Sequence, residues 1–471
     1  MKLIRVVGMD GAVTFALLAR GLNIVGSVGT VLLVVRYLSP VEQGYYYALL
    51  SLVSLQLVFE LGFSFVIQQL AAHECVHVEL REDGSVGGDR VALARLASIL
   101  QISMRWYSWA SLAMGLVLTP LGVVFFGLRA SPGSVHVAWQ GPWMMAVAAS
   151  MAGLWCLPFY GFLEGCGEVR TVAALRLRQA LAANVLAWTA MLLGHGLYAP
   201  ALVIVGQVGV GLMFLANRRR LLAGLLGYPA CEAGLSWTDE VWPFQWRIGV
   251  SWMCSYLTVQ VFIPIVFALR GPVEAGQMGM SLSVTGYMTV LALVWISTKA
   301  TPFGQLIAKR DFSALDQSFF RTLSQSVAAF AIIAAVATAA VAAIPFVAPH
   351  LGSRMVPAWM FAMLVLGAGA NHVVQCLAIL LRCFKREPFL VQSLAVAALT
   401  LLLAAALVPK LGNAGACIGY LLANLAVGLP VASLIFARTR SRYLAAAPPS
   451  QPGLYAAAFE PLTSNASGDS R

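Results

Sequence analysis

Long apolar runs, each followed by a short polar or charged segment, recur along the whole chain. A helix that crosses a bilayer needs about 20 largely apolar residues, and twelve segments of the sequence satisfy or approach this length. A polar break near 218–247 divides them into six and six. The predicted spans are approximately 13–38, 43–67, 106–128, 142–163, 179–195, 197–217, 248–269, 276–298, 325–347, 357–381, 389–408 and 413–437.

The composition agrees with a protein that is embedded in a membrane. The chain has 471 residues, of which 60% are hydrophobic and only 10% charged, whereas a soluble domain carries about 25% charged residues. Its mean hydropathy is +0.82. Soluble enzymes, nucleic-acid binders and secreted disulfide scaffolds are therefore excluded. The eight cysteines lie mostly within apolar runs, without the spacing of a metal site.

The distribution of basic residues predicts the orientation. With an even number of spans both termini lie on one side, and that side holds 24 of the 30 Lys and Arg residues. Because basic residues concentrate in cytoplasmic loops, both termini are predicted to be cytoplasmic. The apolar stretch after Lys2 and Arg5 has no convincing cleavage site, so we expect no signal peptide to be removed.

The predicted organisation is two bundles with a linker and a tail. The loops on the external side are short, whereas the cytoplasmic segment 73–105 is long and contains an amphipathic piece near 90–101 that is expected to lie on the membrane surface. The predicted units are an N-terminal six-helix bundle at 1–217, a cytoplasmic linker at 218–247, a C-terminal six-helix bundle at 248–444 and a disordered cytoplasmic tail at 445–471.

A short internal repeat relates the two bundles. Pro40–Gly44, with the sequence Pro-Val-Glu-Gln-Gly, recurs as Pro272–Gly276, with the sequence Pro-Val-Glu-Ala-Gly. Both copies fall on the external turn between the first and second span of their bundle. Repeats of six spans keep the same topology, so the bundles should be parallel repeats around a central cavity, with the substrate path between them. Glu42 and Glu274 are interpreted as residues that cap the following helix.

Three segments carry a resemblance to a known family. Arg36–Tyr46, Glu60–Gly62 and Leu411–Ala416 resemble the corresponding stretches of polysaccharide flippases of the multidrug/oligosaccharidyl-lipid/polysaccharide exporter superfamily. The resemblance implies an all-α polytopic fold of two six-helix bundles around a V-shaped cavity.

The family also implies a function, a location and a set of partners. It implies that undecaprenyl-diphosphate-linked oligosaccharide is flipped from the cytoplasmic to the periplasmic leaflet of a bacterial inner membrane, for surface polysaccharide biosynthesis. The expected partners are this substrate, membrane lipids and polysaccharide assembly proteins, with no nucleic acid. No cofactor is expected, and a proton or sodium gradient is the candidate driving force.

A polar stripe on the first span is the main candidate site for such a substrate. Arg20, Asn23, Ser27 and Thr30 are spaced so that they share one helix face. A cation on an otherwise apolar helix suits an anionic diphosphate. The alternative is that Arg20 extends its side chain to the cytoplasmic interface and binds nothing.

Among the acidic residues of the sequence, Glu60 is the one that lies well inside a predicted span. Arg20 and Glu60 are equally far from Pro40 along the sequence, so they should lie at similar depth in an antiparallel hairpin. Two interpretations stay open. The charges of Arg20 and Glu60 simply neutralise each other, or Glu60 is a proton- or cation-linked switch that releases Arg20 for substrate.

Four further residues complete the candidate list, each with a structural alternative. Ser255 occupies the repeat position of Asn23, and Gln260 could bind sugar hydroxyls or pack between helices. Lys299 could guide a diphosphate into the cavity or serve topology. His372 could take part in ion coupling, although a lone histidine in a span is more often an interhelical hydrogen-bond donor.

Two other functions compete with flipping. A multidrug exporter of the same superfamily, coupled to protons or sodium, would use Glu60 to attract cationic drugs, and Arg20 would then be an obstacle. A membrane glycan polymerase or ligase would need a sizeable external loop, and the predicted external loops are short. A transporter rather than an enzyme is therefore predicted.

Overall fold

A computed structural model describes residues 11–75, 78–80, 86–127, 137–228, 242–384 and 389–445. The predicted all-α polytopic fold class is confirmed, since nearly all of the described residues are helical. The predicted tail at 445–471 lies outside the described residues except for its first position. One small antiparallel strand pair, Val78–Leu80 (β1) with Val86–Gly88 (β2), is the exception to the helical pattern among the described residues.

In the described residues of the N-terminal half, helices are connected by short turns and by the strand pair. A single 3₁₀ turn, Gly196–Tyr198, precedes its last long helix. The helices are α1 Gly11–Tyr37, α2 Pro40–Val53, α3 Gln56–Glu60, α4 Phe63–Glu74, α5 Arg90–Gly127, α6 Gln140–Gly165, α7 Val169–Leu192, α8 Ala199–Asn217 and α9 Arg219–Leu226.

The C-terminal half repeats this arrangement with one addition. Its last span contains a π-helical segment, Ala423–Gly428, between two α-helices. The helices are α10 Trp242–Val259, α11 Phe262–Arg270, α12 Pro272–Ser297, α13 Ala300–Ala308, α14 Phe312–Val347, α15 Pro349–Gly352, α16 Ala358–Cys383, α17 Leu390–Leu411, α18 Asn413–Leu422 and α19 Leu429–Ala445.

Every one of the twelve predicted spans coincides with a helical segment. In the described chain eight helices are long and apolar enough to cross a membrane, or nine if α10 and α11 form one bent span. The outward faces of these helices expose large apolar side chains, as a bilayer requires. Examples are Trp109, Leu116, Met213, Ile332 and Val336.

The second and seventh spans are broken, which the continuous apolar runs did not predict. The second is divided into α2, α3 and α4, with left-handed backbone at Leu61 (φ 49°) and Gly62 (φ 66°) at its second break. The seventh bends by 41° between α10 and α11. Hydropathy records only how apolar a segment is, and so it does not detect a break that packing stabilises.

The amphipathic piece near 90–101 was predicted incorrectly as a separate surface element. It is the first part of α5, which runs without interruption for 38 residues. Its apolar face is buried against the protein, with Leu96 and Leu100 both 0% exposed. A buried stripe at helical spacing explains why the piece joins the span instead of lying on the lipid.

The two copies of the internal repeat contact each other directly. A methyl group in place of the Gly44 hydrogen would lie 2.0 Å from the carbonyl oxygen of Pro272. The same substitution at Gly276 would place a carbon 2.9 Å from the backbone nitrogen of Gly44. The glycines of the repeat therefore allow α2 and α12 to cross at backbone contact. We call this end of the molecule the repeat end.

Side chains from both halves reinforce the repeat end. Gln43 Nε2 donates to the carbonyl oxygens of Gly276 and Arg354, at 2.9 Å each. Arg354 in turn donates to the carbonyl of Leu38 at 2.7 Å. Asn413 Nδ2 donates to the carbonyl of Glu274 at 3.0 Å. The three turns that the charge bias places on one side thus lie together in the structure.

The buried apolar side chains of the described residues form two clusters, and the larger one contains residues of both halves. The larger cluster contains Tyr45 on α2, whose ring lies 5.5 Å from Phe126 and 5.0 Å from Phe267. The smaller cluster belongs to α12, α13, α14, α16 and α19 of the C-terminal half together with Phe389, and within it the ring centroids of Phe303 and Phe319 are 6.0 Å apart. All members of the smaller cluster therefore belong to the C-terminal half.

Candidate functional site

A cavity of about 470 Å³ lies inside the N-terminal half. Its walls come from α2, α3, α6, α7 and α8, and they combine apolar side chains with a polar group around Glu60. The polar lining residues are Ser54, Gln56, Glu60, Tyr160, Arg176, Gln179 and Gln207. We call this space the N-half cavity.

Glu60 is a buried acid at a helix break. It is the last residue of α3, is 9% exposed and is followed by the left-handed Leu61 and Gly62. Ser64 Oγ donates to Glu60 Oε1 at 2.5 Å. Left-handed backbone at a residue other than glycine is costly and clusters at functional sites. The break ends α3 directly after the carboxylate, at the wall of the cavity.

The polar wall opposite Glu60 comes from α7 and α8. Arg176 lines the same cavity as Glu60, and its guanidinium pairs with Glu164 at 2.9 Å. Gln179 Nε2 donates to the carbonyl of Gln207 at 3.0 Å. Because Arg176 is already paired with Glu164, Glu60 adds a negative charge to the cavity when it is ionised.

Sequence reasoning missed Arg176 and Gln179. The two residues are three positions apart and so share a face of α7. They also explain why the fifth apolar run is short, since polar residues replace apolar ones where the helix faces the N-half cavity. An interrupted apolar run was the available signal.

The predicted stripe on α1 is only partly described. The side chains of Arg20 and Asn23 lie outside the described residues, so the proposed Arg20–Glu60 pair is not tested by the contacts. Ser27 is half-buried and has a partner. Thr30 was predicted to face the cavity, but its hydroxyl accepts from Trp188 Nε1 at 2.9 Å and donates to Gly26 at 2.8 Å. Thr30 therefore joins α1 to α7.

The candidates on the seventh and eighth spans lie in different surroundings. The side chain of Ser255 lies outside the described residues. Gln260 lies at the break between α10 and α11, where its carbonyl accepts from Ser51 Oγ at 2.7 Å. Lys299 is exposed at the start of α13. Neither Gln260 nor Lys299 is among the residues that line the N-half cavity with Glu60.

His372 bridges helices within the C-terminal half. Its ring is 1% exposed, its Nε2 lies 3.0 Å from Ser326 Oγ, and it stacks on Phe330 with 5.1 Å between ring centroids. Ser326 also donates to the carbonyl of Ala292 at 2.7 Å. This geometry joins α16 to α14 and α12. It corresponds to the interhelical hydrogen bond that the sequence analysis gave as the alternative to ion coupling.

The C-terminal half contains a second cavity, of about 290 Å³. It lies between α10, α16, α17 and the π-helical segment, and sequence reasoning did not find it because its lining residues are scattered over four helical segments. We call it the C-half cavity.

Comparison with known proteins finds a likeness of fold without a significant likeness of sequence. No protein-family model matches the chain, and no curated protein matches it significantly by sequence. Solved structures do match. An inward-facing multidrug resistance MATE family transporter of the MOP superfamily superposes with a TM-score of 0.62 and 12% identity, over 92% of this chain and 94% of the other.

Two further structures give the same result. An outward-facing MATE family transporter matches with a TM-score of 0.57 and 14% identity, over 92% of this chain and 96% of the other. A MATE transporter from Vibrio cholerae matches with a TM-score of 0.57 and 14% identity, over 92% and 97%. At this identity the likeness shows the fold alone, and the chain has a fold similar to that of these three transporters.

Proposed function

We propose that this protein is a cation-coupled exporter that moves an amphipathic organic cation by alternating access of its two halves. The observation that carries the proposal is the buried carboxylate of Glu60 on the wall of the N-half cavity. An ionisable group inside a span is costly and is usually part of a substrate or ion path. Three of the similar structures are described as MATE or multidrug resistance transporters, which supports the same class.

The geometry gives Glu60 a way to couple ion and substrate binding. An organic cation and a proton or sodium ion would compete for the same carboxylate, since it accepts one hydrogen bond from Ser64 and faces the cavity. The aliphatic lining, including Leu50 and Val203, would hold the apolar part of the substrate. Release of the substrate would then follow binding of the ion on the other side.

The second candidate function is the flipping of a lipid-linked oligosaccharide. The observation that favours it is the C-half cavity, whose described lining residues include several side-chain amides and no carboxylate. Such a lining suits a neutral, hydroxyl-rich group better than an organic cation. Arg20 would bind the diphosphate in this function, as the sequence predicts.

The location, the orientation and the chemistry follow the same proposal. The protein would lie in a bacterial inner membrane with both termini in the cytoplasm, as the charge bias predicts. It would act as a transporter without a cofactor, driven by a proton or sodium gradient.

One pair of measurements separates the two functions. The chain is expressed in a bacterial host that lacks its own drug exporters, and ethidium efflux is followed before and after a protonophore or removal of sodium. In a strain that lacks the protein, lipid-linked oligosaccharide is measured in the cytoplasmic leaflet.

The outcomes of this pair are distinct. Efflux that stops when the gradient collapses is the expected result. Accumulation of lipid-linked oligosaccharide, together with an absence of ethidium efflux, would support the flippase function and contradict the exporter function. Neither effect, in cells that contain the protein in the membrane, would contradict both functions.

A further inference from the structure

Two free cysteines meet where α4 and α6 end. Cys75 directly follows α4, and Cys166 directly follows α6. A hydrogen bond joins their side chains. Both residues lie beyond the predicted spans, and each is half-buried, so part of each residue is open to small reagents. We call Cys75 and Cys166 the thiol pair.

The packing of α4 on α6 keeps the thiol pair together. A methyl group in place of the Gly165 hydrogen would lie 2.5 Å from the carbonyl oxygen of Gln68. One turn earlier, the same change at Gly161 would place a carbon 2.7 Å from the carbonyl oxygen of Ser64. Small residues at this spacing allow two membrane helices to approach at backbone contact. The thiol pair lies just beyond this close contact, so its position is set by the crossing of the two helices.

The hydrogen bond gives the two thiols different roles. Donation from Cys166 lowers the pKa of the Cys75 thiol, although burial and the charge of Glu74 oppose this effect. The same hydrogen bond, together with burial, raises the pKa of Cys166. Because the thiolate is the nucleophile, Cys75 is the thiol that attacks first. Cys166 is then placed to attack the Cys75 sulfur.

The acids beside the thiol pair are themselves paired with arginines. The carboxylate of Glu74 lies 3.0 Å from Arg95 Nε, and Glu168 pairs with Arg218. A negative charge next to a thiol disfavours the thiolate. The arginines reduce this penalty, since each brings a positive charge to the acid that causes it.

We propose that the thiol pair is a redox-sensitive site that forms a reversible disulfide between α4 and α6. Cysteines that sense oxidation combine thiolate character, access to solvent and a neighbouring second cysteine, and the thiol pair has all three. The charge bias places this end of the molecule in the cytoplasm, where thiols are normally kept reduced. The disulfide is therefore the product of oxidative conditions.

The oxidant is a small soluble disulfide such as glutathione disulfide. The Cys75 thiolate attacks one of its sulfurs, forms a mixed disulfide and releases one glutathione thiolate. Cys166 then loses its proton, attacks the Cys75 sulfur and releases the second glutathione thiolate. The two cysteines lose two electrons and two protons, and glutathione disulfide becomes two molecules of glutathione.

The disulfide would attach the end of α4 to α6. The other end of α4 begins directly after the break at Leu61 and Gly62, and Ser64 in its first turn donates to Glu60. The redox-sensitive site goes beyond the proposed exporter function and does not depend on coupling through Glu60.

The test measures disulfide formation in the purified full-length protein in lipid nanodiscs. The protein is equilibrated in buffers with increasing ratios of glutathione disulfide to glutathione, its remaining thiols are alkylated, and its peptides are analysed by mass spectrometry. A peptide pair linked through Cys75 and Cys166 should appear as the ratio rises, and dithiothreitol should remove it. Cys75→Ser and Cys166→Ser should each abolish the linked peptide.

Cys383 provides the matched control. It is half-buried at the end of α16, and its thiol donates to the carbonyl oxygens of Ala300 and Ile379. Cys383→Ser should leave the linked peptide unchanged. At pH 7 iodoacetamide should alkylate Cys75 at least about tenfold faster than Cys383, because lowering a thiol pKa by one unit raises the thiolate fraction about tenfold. Cys166→Ala should remove this difference.

Two results would overturn the proposal. One is the absence of the linked peptide at every glutathione ratio in the unmodified, folded protein. The other is linkage of Cys75 to Cys383 to the same extent as to Cys166, which would show unspecific oxidation. Neither result would alter gradient-driven efflux of ethidium, so the failure of this site and the failure of the exporter function are distinguishable.

Discussion

Gly44 is the residue at which the two halves approach most closely in the repeat. Gly44→Ala would place a methyl group 2.0 Å from the carbonyl oxygen of Pro272. Overpacking of this kind costs about 1–3 kcal/mol, so we expect a lower melting temperature and a reduced transport rate. Thermal unfolding in detergent and transport in proteoliposomes measure the two effects.

Gly286 provides the control for this substitution. It lies within α12, and a methyl group added there has nothing within 4 Å among the described residues. Gly286→Ala should be neutral or slightly stabilising, because alanine is favoured over glycine in a helix by about 1 kcal/mol. Equal behaviour of the two variants would contradict the crossing at Gly44.

Arg20 allows a separate test of the flippase candidate. Arg20→Ala should abolish flipping of a labelled lipid-linked oligosaccharide in vesicles while the protein remains inserted, since the helix loses a costly charge. Arg20→Lys should keep part of the activity, because a lysine attracts phosphate without the bidentate geometry. Full flipping by a well-expressed Arg20→Ala protein would favour the alternative in which Arg20 only reaches the interface.

Single residues also show what the sequence could and could not predict. The side chains of Glu60 and His372 are buried in the structure, and the position of both residues within spans follows from hydropathy alone. The role of Thr30 does not, because its position on α1 is the same whether it faces a cavity or Trp188. Facing residues belong to other helices, and helical spacing within one segment does not identify them.

The contact between Gln43 and Arg354 links the halves at the level of elements. Gln43 is on α2, whereas Arg354 follows α15, and each uses its side chain to reach the other half. Removing both side chains should shift the molecule toward states in which the repeat end is open. Each lost hydrogen bond contributes about 0.5–1.5 kcal/mol, so the open population should rise at least about twofold.

Spin labels measure this shift. Tyr37 and Leu411 are exposed residues of the two halves at the repeat end, and cysteines there in a cysteine-free background can carry the labels. Gln43→Ala with Arg354→Ala should increase the long-distance fraction in double electron–electron resonance. The control is Gln277→Ala, which removes hydrogen bonds to Ser353 and Asn413 inside one half. An equal shift in the control would contradict a linkage between the halves.

Helix ends and helix breaks differ in how far the sequence predicts them. The capping role of Glu42 was predicted and is confirmed, since Ser39 N donates to the Glu42 carboxylate at 2.8 Å and Glu42 N donates to Ser39 Oγ at 3.2 Å. Glu274 was predicted to cap in the same way, but its carboxylate pairs with Arg270 at 3.2 Å and α12 has no side-chain cap. The break at Leu61 was not predicted. Leu61 packs against Gly249 of the other half, so the break depends on a tertiary contact that a single segment does not contain.

The topology of the whole molecule can be tested by chemical labelling. In a cysteine-free background, single cysteines at positions 41, 273 and 413 should react with an impermeant reagent added from the periplasm. Cysteines at 218 and 385 should react only after the membrane is permeabilised. Reaction of 218 or 385 from the periplasm would reverse the orientation that the charge bias predicts.

The architecture of the whole molecule was largely predictable, and the cavities were not. Twelve apolar runs and a repeated Pro-Val-Glu segment are properties of the chain itself, and the helices and the contact between the repeats follow them. The N-half cavity assembles Glu60 with Arg176 and Gln207 from three separate helices. Only the packing of those helices brings the three residues together.

The central claim is that Glu60 couples a cation gradient to transport, and reconstituted vesicles test it most directly. Ethidium transport is measured with and without an imposed proton or sodium gradient for the unmodified protein, Glu60→Gln and Glu42→Gln. Glu42 is the matched control because glutamine at this helix position preserves the capping box.

The gradient should accelerate transport by the unmodified protein and by Glu42→Gln. In Glu60→Gln this acceleration should be about tenfold smaller, which corresponds to a coupling free energy of about 1.4 kcal/mol. Gradient-driven transport by a folded Glu60→Gln protein at the unmodified rate would contradict the account.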